Sequence, residues 1–275
     1  MLKKIQIPNG VEVNNLGQGT WHMGQDQSQH NREVDALCYG MDLGINLIDT
    51  AEMYHDAELV VADAIKGRRD EAFIVSKVLP GNASKKGTIK ACEKSLKRMG
   101  IDCMDMYLLH WMGSHPLSET LEAFLLLVDQ GKIKHFGVSN LDITEMEDIW
   151  SLPGGYGMAT NQVLYNLSQR AIEWRLLPWC RKRKIPIMAY SPLNQGKINS
   201  DVLDQIGSKH GANRFQIALA WVLMQSDVIA IPKSSSRDHI DQNLDALNIQ
   251  LDADDLQAID TTFPPPKSPV ALNMY

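Results

Sequence analysis

Met104-Asp105-Met106-Tyr107-Leu108-Leu109-His110 carries the pattern that sets the fold class. Its centre, Met106-Tyr107-Leu108-Leu109, is apolar at successive rather than alternate positions. A strand with one wet face alternates; one apolar throughout is covered on both faces, as in a parallel sheet. Short apolar or β-branched runs of the same kind stand at residues 16–21, 45–49, 72–78, 135–140, 159–166, 185–191 and 228–233. Most successive runs lie about 25–32 residues apart, the repeat of a strand followed by a crossover helix.

The segments between the runs have helical spacing. Leu117, Leu121, Phe124, Leu125 and Val128 mark one face of a helix, and Gly131 stops it. Glu93, Leu96, Lys97 and Met99 precede Gly100 in the same way. Ile217, Leu219, Ala220, Val222 and Leu223 are too uniformly apolar for a surface helix and predict a buried one. Before it, residues 191–200 form a Gly/Asn/Ser-containing segment that lengthens the last gap, and a small helix is expected at 253–261. At the N-terminus, Lys4-Ile5-Gln6-Ile7, the turn Pro8-Asn9-Gly10 and Val11-Glu12-Val13 read as a β-hairpin. The expected fold is α/β: a closed (β/α)8 barrel with an N-terminal hairpin, a doubly wound open sheet being the alternative. No linker interrupts the pattern, so residues 1–275 read as one domain, with a tail after Pro264-Pro265-Pro266.

Composition limits the partners. Of 275 residues, 44% are hydrophobic and 22% charged, which excludes extensive disorder. The net charge of −6 argues against nucleic-acid binding, which leaves a basic footprint, but not against a small anionic cofactor. The longest apolar run, 123–128, is far short of the ~20 residues of a membrane helix. No apolar stretch follows Lys3-Lys4, so no secretory signal is expected. Cys38, Cys92, Cys103 and Cys180 form no C-x-x-C pair and read as reduced thiols. The expectation is a cytoplasmic protein, a monomer by preference, with a small-molecule partner and neither nucleic acid nor membrane. His110 and His115 are poorly spaced for a metal, and none is expected. The run Arg181-Lys182-Arg183-Lys184 reads as the charged last turn of a helix.

In an eight-fold barrel the chemistry sits at the C-terminal ends of the strands. Asp49 ends the second run, with Tyr54 just beyond it; Lys77 is near the end of the third, and His110 ends the fourth, followed by Trp111. A free phenol ionises near pH ~10, and a neighbouring ammonium lowers that value. A carboxylate keeps the ammonium charged and oriented, and a histidine can orient a carbonyl. The set suits protonation of an oxyanion as it forms, the chemistry of carbonyl reduction. Singly, each residue has a plainer reading as turn former, solvated strand end or packing group; together on successive strand ends the catalytic reading is favoured.

The chain resembles the aldo-keto reductase superfamily over nearly its whole length. The resemblance is carried by Gly17-Gln18-Gly19-Thr20-Trp21, Asn46-Leu47-Ile48-Asp49-Thr50-Ala51-Glu52-Met53-Tyr54, Ile74-Val75-Ser76-Lys77 and Leu108-Leu109-His110-Trp111. Gly131-Lys132-Ile133, Gly137-Val138-Ser139-Asn140, Asn161-Gln162, Met188-Ala189-Tyr190-Ser191-Pro192-Leu193 and Ile231-Pro232-Lys233-Ser234 complete it. It implies a (β/α)8 barrel with a hairpin closing the bottom, a nicotinamide cofactor and no metal. It also implies an Asp49–Tyr54–Lys77–His110 tetrad, with Tyr54 as general acid, Asp49 and Lys77 tuning it and His110 orienting the carbonyl. For the cofactor it implies Gly19, Thr20, Trp21 and Asp49 near the nicotinamide. Ser139, Asn140 and Gln162 would bond the carboxamide, with Tyr190 stacked on the ring. Ser191, Pro192 and Leu193 would begin the loop over the pyrophosphate. Lys233 and Ser234 would hold a 2′-phosphate, and Asn243 would contact the adenine. The substrate pocket would be lined by Trp21, Tyr54, His110 and Trp111.

The adenine end departs from the common pattern: His239 stands where many members carry arginine, and Gln242 where many carry glutamate. Arg237 is a candidate substitute. Lys233 and Ser234 favour NADPH, with NADH as an alternative. His55-Asp56-Ala57-Glu58 also lacks the glycine common after the tyrosine. The short 193–200 loop implies a loosely clamped cofactor, and the short tail an open pocket for small aldehydes. The wording of Ala51-Glu52-Met53-Tyr54 and Leu152-Pro153-Gly154-Gly155 is similar to bacterial members that reduce methylglyoxal. The rival reading is a nicotinamide-binding redox sensor or channel-associated subunit with little turnover. A sugar-phosphate barrel would need a glycine-rich phosphate loop, whereas this chain has Ser234-Ser235-Ser236.

Overall fold

The computed structural model describes residues 2–8 and 10–275. A two-stranded antiparallel hairpin comes first, β1 (Lys4–Gln6) against β2 (Glu12–Asn14). Its turn closes through Ile7 N–H to the Val11 carbonyl at 2.8 Å, while Asn9, expected at the tip, lies outside the described residues. Eight parallel strands follow: β3 (Gln18–Gly19), β4 (Leu47–Asp49), β5 (Phe73–Val78), β6 (Met104–Leu109), β7 (Ile133–Ser139), β8 (Asn161–Leu164), β9 (Ile187–Tyr190) and β10 (Val228–Ala230). They pair in chain order, and the two ends meet. Gly17 N–H donates to Ala230 and Gly19 N–H to Pro232, at 2.8 and 3.0 Å, and parallel bridges join Leu16 to Ala230 and Gly19 to Lys233. The sheet is therefore a closed barrel, not the open doubly wound alternative.

Gly19 is required at that seam. A Cβ built there would stand 2.8 Å from the Ile231 carbonyl oxygen, closer than any side chain is tolerated.

The outer ring consists of α1 (His30–Asp42), α2 (Ala57–Ala64), α3 (Lys85–Met99), α4 (Leu117–Asp129), α5 (Ile143–Ser151), α6 (Leu176–Arg183), α7 (Asp201–His210), α8 (Arg214–Leu223), α9 (Arg237–Asp245) and α10 (Ala253–Thr262). The ends follow local chemistry. Ser84 caps α3 by accepting from Gly87 N–H, and Gly100, at φ 65°, ends it in the left-handed region that glycine enters freely. Asn213 and Gln216 form a capping box at the start of α8. The long last gap holds two helices, α7 and α8, where the sequence pointed to one; Gly211, at φ 64°, separates them. The α8 residues Ile217, Leu219 and Val222 are wholly buried, as their uniform apolarity implied. Arg181 and Arg183 do lie in the last turn of α6, but Lys184 is already past it at φ 58°. Arg181 is ion-paired with Asp227 and Arg183 lies over the Trp179 ring.

Two apolar layers result. Ile48, Ile74, Tyr107, Val138 and Val163 face the helices. Leu47, Val75, Met106, Leu108, Ala159, Met188 and Ile229 face inward, where Ile5, Ile7 and Val13 of the hairpin join them as a plug. Strands covered on both sides have no wet face, which is why the 104–110 run does not alternate. Leu108 is fully buried in the inner layer, so Leu108→Ala is expected to cost about 2–5 kcal/mol of stability. Urea unfolding followed by circular dichroism measures it, and a loss under ~1 kcal/mol would contradict this packing.

Candidate active site

The hairpin plugs one end of the barrel, so the other end, where the strands finish, is free to hold a site. Asp49 is the last residue of β4, Lys77 is next to last in β5, and His110 follows β6 directly. Tyr54 reaches the same point from the loop after β4. The tetrad expected from the sequence is therefore assembled in space. Lys77 Nζ donates to Asp49 Oδ1 and Oδ2 at 2.9 and 2.8 Å and to the Thr50 carbonyl at 2.8 Å. It lies 3.3 Å from the Tyr54 hydroxyl and 4.8 Å from its ring centre. The Tyr54 and His110 rings meet edge to face at 5.7 Å.

Further contacts hold the carboxylate. Gln162 Nε2, from β8 across the barrel, donates to Asp49 Oδ1 at 2.7 Å. The Thr20 hydroxyl donates to the Asp49 carbonyl at 2.9 Å, tying β3 to β4. Asp49 and Lys77 are both buried, at 2% and 0% exposure. Burial pushes the carboxyl up and the ammonium down from their ordinary values, and their mutual contact opposes both shifts. Burial, reinforced by the Asp49 charge, raises the Tyr54 phenol well above its ordinary value. That is opposite to the lowering expected from Lys77 alone: a phenolate in this dry site beside a carboxylate is disfavoured more than one ammonium repairs. Burial, with the Lys77 charge behind it, pulls His110 down to about 2. His110 is thus a neutral imidazole, and its Nδ1 is buried without a protein partner.

A cavity of about 860 Å³ opens over these groups, at the upper range of small-molecule sites. Asp49, Tyr54 and His110 form part of its floor, with Trp21, Met53 and Trp111 on one side. From there it runs past Gly19, Ser139, Asn140, Gln162 and Tyr190, under Ser191, Pro192 and Leu193, to Lys233, His239, Gln242 and Asn243. Asn140 Nδ2 donates to the Ser139 hydroxyl and the His110 carbonyl, both at 3.1 Å, and its Oδ1 accepts from the Tyr190 hydroxyl at 3.0 Å. Asn140, Ser191, Asn194 and Gln195 all have positive φ, between 47° and 57°. Such strain in non-glycine residues is kept only where the surroundings enforce it, commonly at functional sites.

Some expected residues stand elsewhere. Lys77 and Thr20 lie behind the cavity wall. The Ser234 hydroxyl is engaged with the Ser236 backbone, donating to its carbonyl at 3.0 Å and accepting from its N–H at 3.1 Å. Arg237 is not free to replace the missing arginine: its Nε donates to Asp35 at 2.8 Å, its Nη2 also bonds Asp35, and its guanidinium lies over Tyr39. The tail, expected to be too short to cover the pocket, reaches its rim. Asn273 Nδ2 donates to Gln169 at 2.7 Å, and the Tyr275 hydroxyl bonds Asn194, so Met274 and Tyr275 border the cavity beside the loop. His22, Lys197, Phe215 and Gln216 border it too; they lie on loops and a helix start whose approach no periodicity reveals. Among the described residues, no three His, Cys, Asp or Glu side chains converge in a metal-holding group. No helix there is long and apolar enough to cross a membrane.

Residues 15–262 match the Aldo/keto reductase family. The chain belongs to the aldo/keto reductase family. Among its relatives, the methylglyoxal reductase YeaE of Escherichia coli is 47% identical over 99% of each chain. The glyoxal reductase of Bacillus subtilis is 33% identical over 93% of this chain and 91% of its own. In structure the barrel is similar to an aldo-keto reductase from Klebsiella pneumoniae solved in complex with NADPH, with a TM-score of 0.97 and 44% identity over the whole of both chains.

For this aldo/keto reductase the His110 shift gives a direct check. An imidazole held near pKa 2 does not take up a proton across the physiological range. Nitrogen NMR of the free protein is expected to show His110 neutral from about pH 5 to 8; a midpoint near the free-histidine value would refute the burial argument.

Proposed function

We propose that the chain is an NADPH-dependent reductase of small aldehydes and ketones, 2-oxoaldehydes such as methylglyoxal among them, built as one barrel domain. The observation that carries the reading is the Tyr54 hydroxyl, held 3.3 Å from a buried ammonium on the floor of a cavity of about 860 Å³. The cavity fits that cofactor in several respects. Gly19 leaves the wall flat, Ser139, Asn140 and Gln162 offer amide and hydroxyl partners, Tyr190 offers a ring, and Lys233 offers a cation at the far end.

When bound, the cofactor supplies a hydride for the carbonyl carbon. The protein supplies the proton and the placement. Tyr54 keeps its proton at neutral pH, as a phenol ordinarily does and more firmly for being buried, and delivers it to the oxygen as negative charge develops there. The Lys77 ammonium stabilises the phenolate that is left, and Asp49 keeps that ammonium in place. His110, neutral and beside Tyr54, orients the carbonyl oxygen. Trp21, Trp111 and Met53 give the pocket an apolar rim that suits small carbonyl compounds and excludes water from the reacting centre.

Methylglyoxal and glyoxal reduction by the two relatives named above supports the substrate class. The rival of a silent, nicotinamide-binding regulatory barrel leaves the complete Asp49–Lys77–Tyr54–His110 arrangement without a purpose. Tyr54→Phe is expected to lower methylglyoxal reduction, read at 340 nm, by more than ~10³-fold, while the NADPH dissociation constant from fluorescence titration stays within about threefold. Near-normal turnover by that variant would sink the mechanism, and no turnover by the wild type on a panel of small aldehydes would favour the regulatory rival.

A further inference from the structure

Ser235 stands between two cations. Lys233 Nζ lies 3.3 Å from its hydroxyl, and Arg32 Nε donates to its carbonyl at 2.9 Å. Arg32 belongs to α1, so it arrives from the opposite end of the sequence. Only its Nε is used: among the described residues neither Nη group has a hydrogen-bond or ion-pair partner. Arg32 is exposed, and its position is set by the Ser235 anchor rather than by a carboxylate.

Two unneutralised cations held on one serine repel each other. Lys233 is exposed, yet partial desolvation holds its ammonium below the ordinary lysine value; the Glu33 carboxylate opposes this and the Arg32 guanidinium adds to it. Glu33 is itself committed elsewhere, accepting from Gly24 N–H at 2.8 Å. The other arginine nearby, Arg237, is neutralised by Asp35. The α9 N-terminus beside this pair has no side-chain cap from Ser236, so it adds uncapped amides to the same corner.

We propose that Arg32 is a specificity-determining residue for the 2′-phosphate of NADPH, gripping it with Lys233 across Ser235. The inference rests on the NADPH reading above. It accounts for the histidine at position 239: the second cation comes from α1 instead of from α9. A phosphate dianion placed between the two side chains would satisfy both charges and occupy the free Nη fork. The hydroxyl of NADH at that point carries no charge to meet them.

Equilibrium titration of tryptophan fluorescence with NADPH and with NADH tests this without turnover. Arg32→Ala and the near-isosteric Arg32→Gln are each expected to raise the NADPH dissociation constant about tenfold. Both should leave the NADH constant within about twofold and flatten the salt dependence of NADPH binding. Lys233→Ala should act in the same direction, and Arg237→Ala should change neither constant. If the Arg32 variants keep the wild-type NADPH-to-NADH ratio while Lys233→Ala collapses it, the role of Arg32 is refuted and the NADPH reading stands. An unchanged salt slope would make Arg32 a mere anchor for Ser235 and also refute the proposal. Wild-type protein that binds NADPH no tighter than NADH would overturn the NADPH reading and this inference together.

Discussion

The structure of the site depends on one buried ion pair. Lys77 has no contact with solvent, and burying an ammonium is affordable only where its donors are met. Three are met at 2.8–2.9 Å, by both oxygens of Asp49 and the Thr50 carbonyl. The same carboxylate is reached by Gln162 from the far side of the barrel, and the Asp49 carbonyl by Thr20. One pair therefore ties together the ends of β3, β4, β5 and β8. Each of these strand ends is held by the closed barrel. Tyr54 is the group placed by this corner, and its raised pKa follows from the same dryness that makes the ion pair necessary.

Away from that corner the cavity changes character. At the tetrad it is lined by tryptophan and methionine; at the opposite end it meets Lys233, His239 and the uncapped start of α9. The overall charge of −6 gives no hint of this, because ligand binding responds to charges within a Debye length of about 8–10 Å. The C-terminal tail returns to the same cavity. Brought back by Asn273 and Tyr275, it shares the rim with the 193–197 loop. Tyr275 and Asn194 thus meet at the cavity rim.

Much of this was legible in the chain. A parallel strand buried on both faces has to be apolar throughout, so residues 104–110 pointed to a parallel sheet; eight such runs predicted a barrel but left an open sheet as the alternative until the β3–β10 seam was seen. The tetrad was legible for a related reason: residues at strand ends converge in a barrel whatever their separation in sequence. The less legible features depend on side chains meeting across loops. Nothing in the spacing indicates that Arg237 would be taken by Asp35, 202 positions away, or that Arg32 would reach Ser235. The short tail read as an open rim because length says nothing about where Tyr275 docks. The expected lowering of the Tyr54 pKa failed because pairwise chemistry was visible in the sequence and burial was not.

In the proposed function, the buried Lys77–Asp49 pair serves Tyr54 rather than the fold. Removing one partner would leave a bare buried charge and confound the two. Asp49→Asn with Lys77→Met removes both charges and keeps the volume. Single-turnover reduction of methylglyoxal by this double variant, loaded with NADPH and monitored at 340 nm alongside its urea unfolding curve, is the most direct measurement. Stability is expected to stay within about 1–2 kcal/mol of the parent, and the hydride-transfer rate to fall by at least ~10³-fold. A folded double variant that reduces its substrate at near the parent rate would contradict this role of the pair.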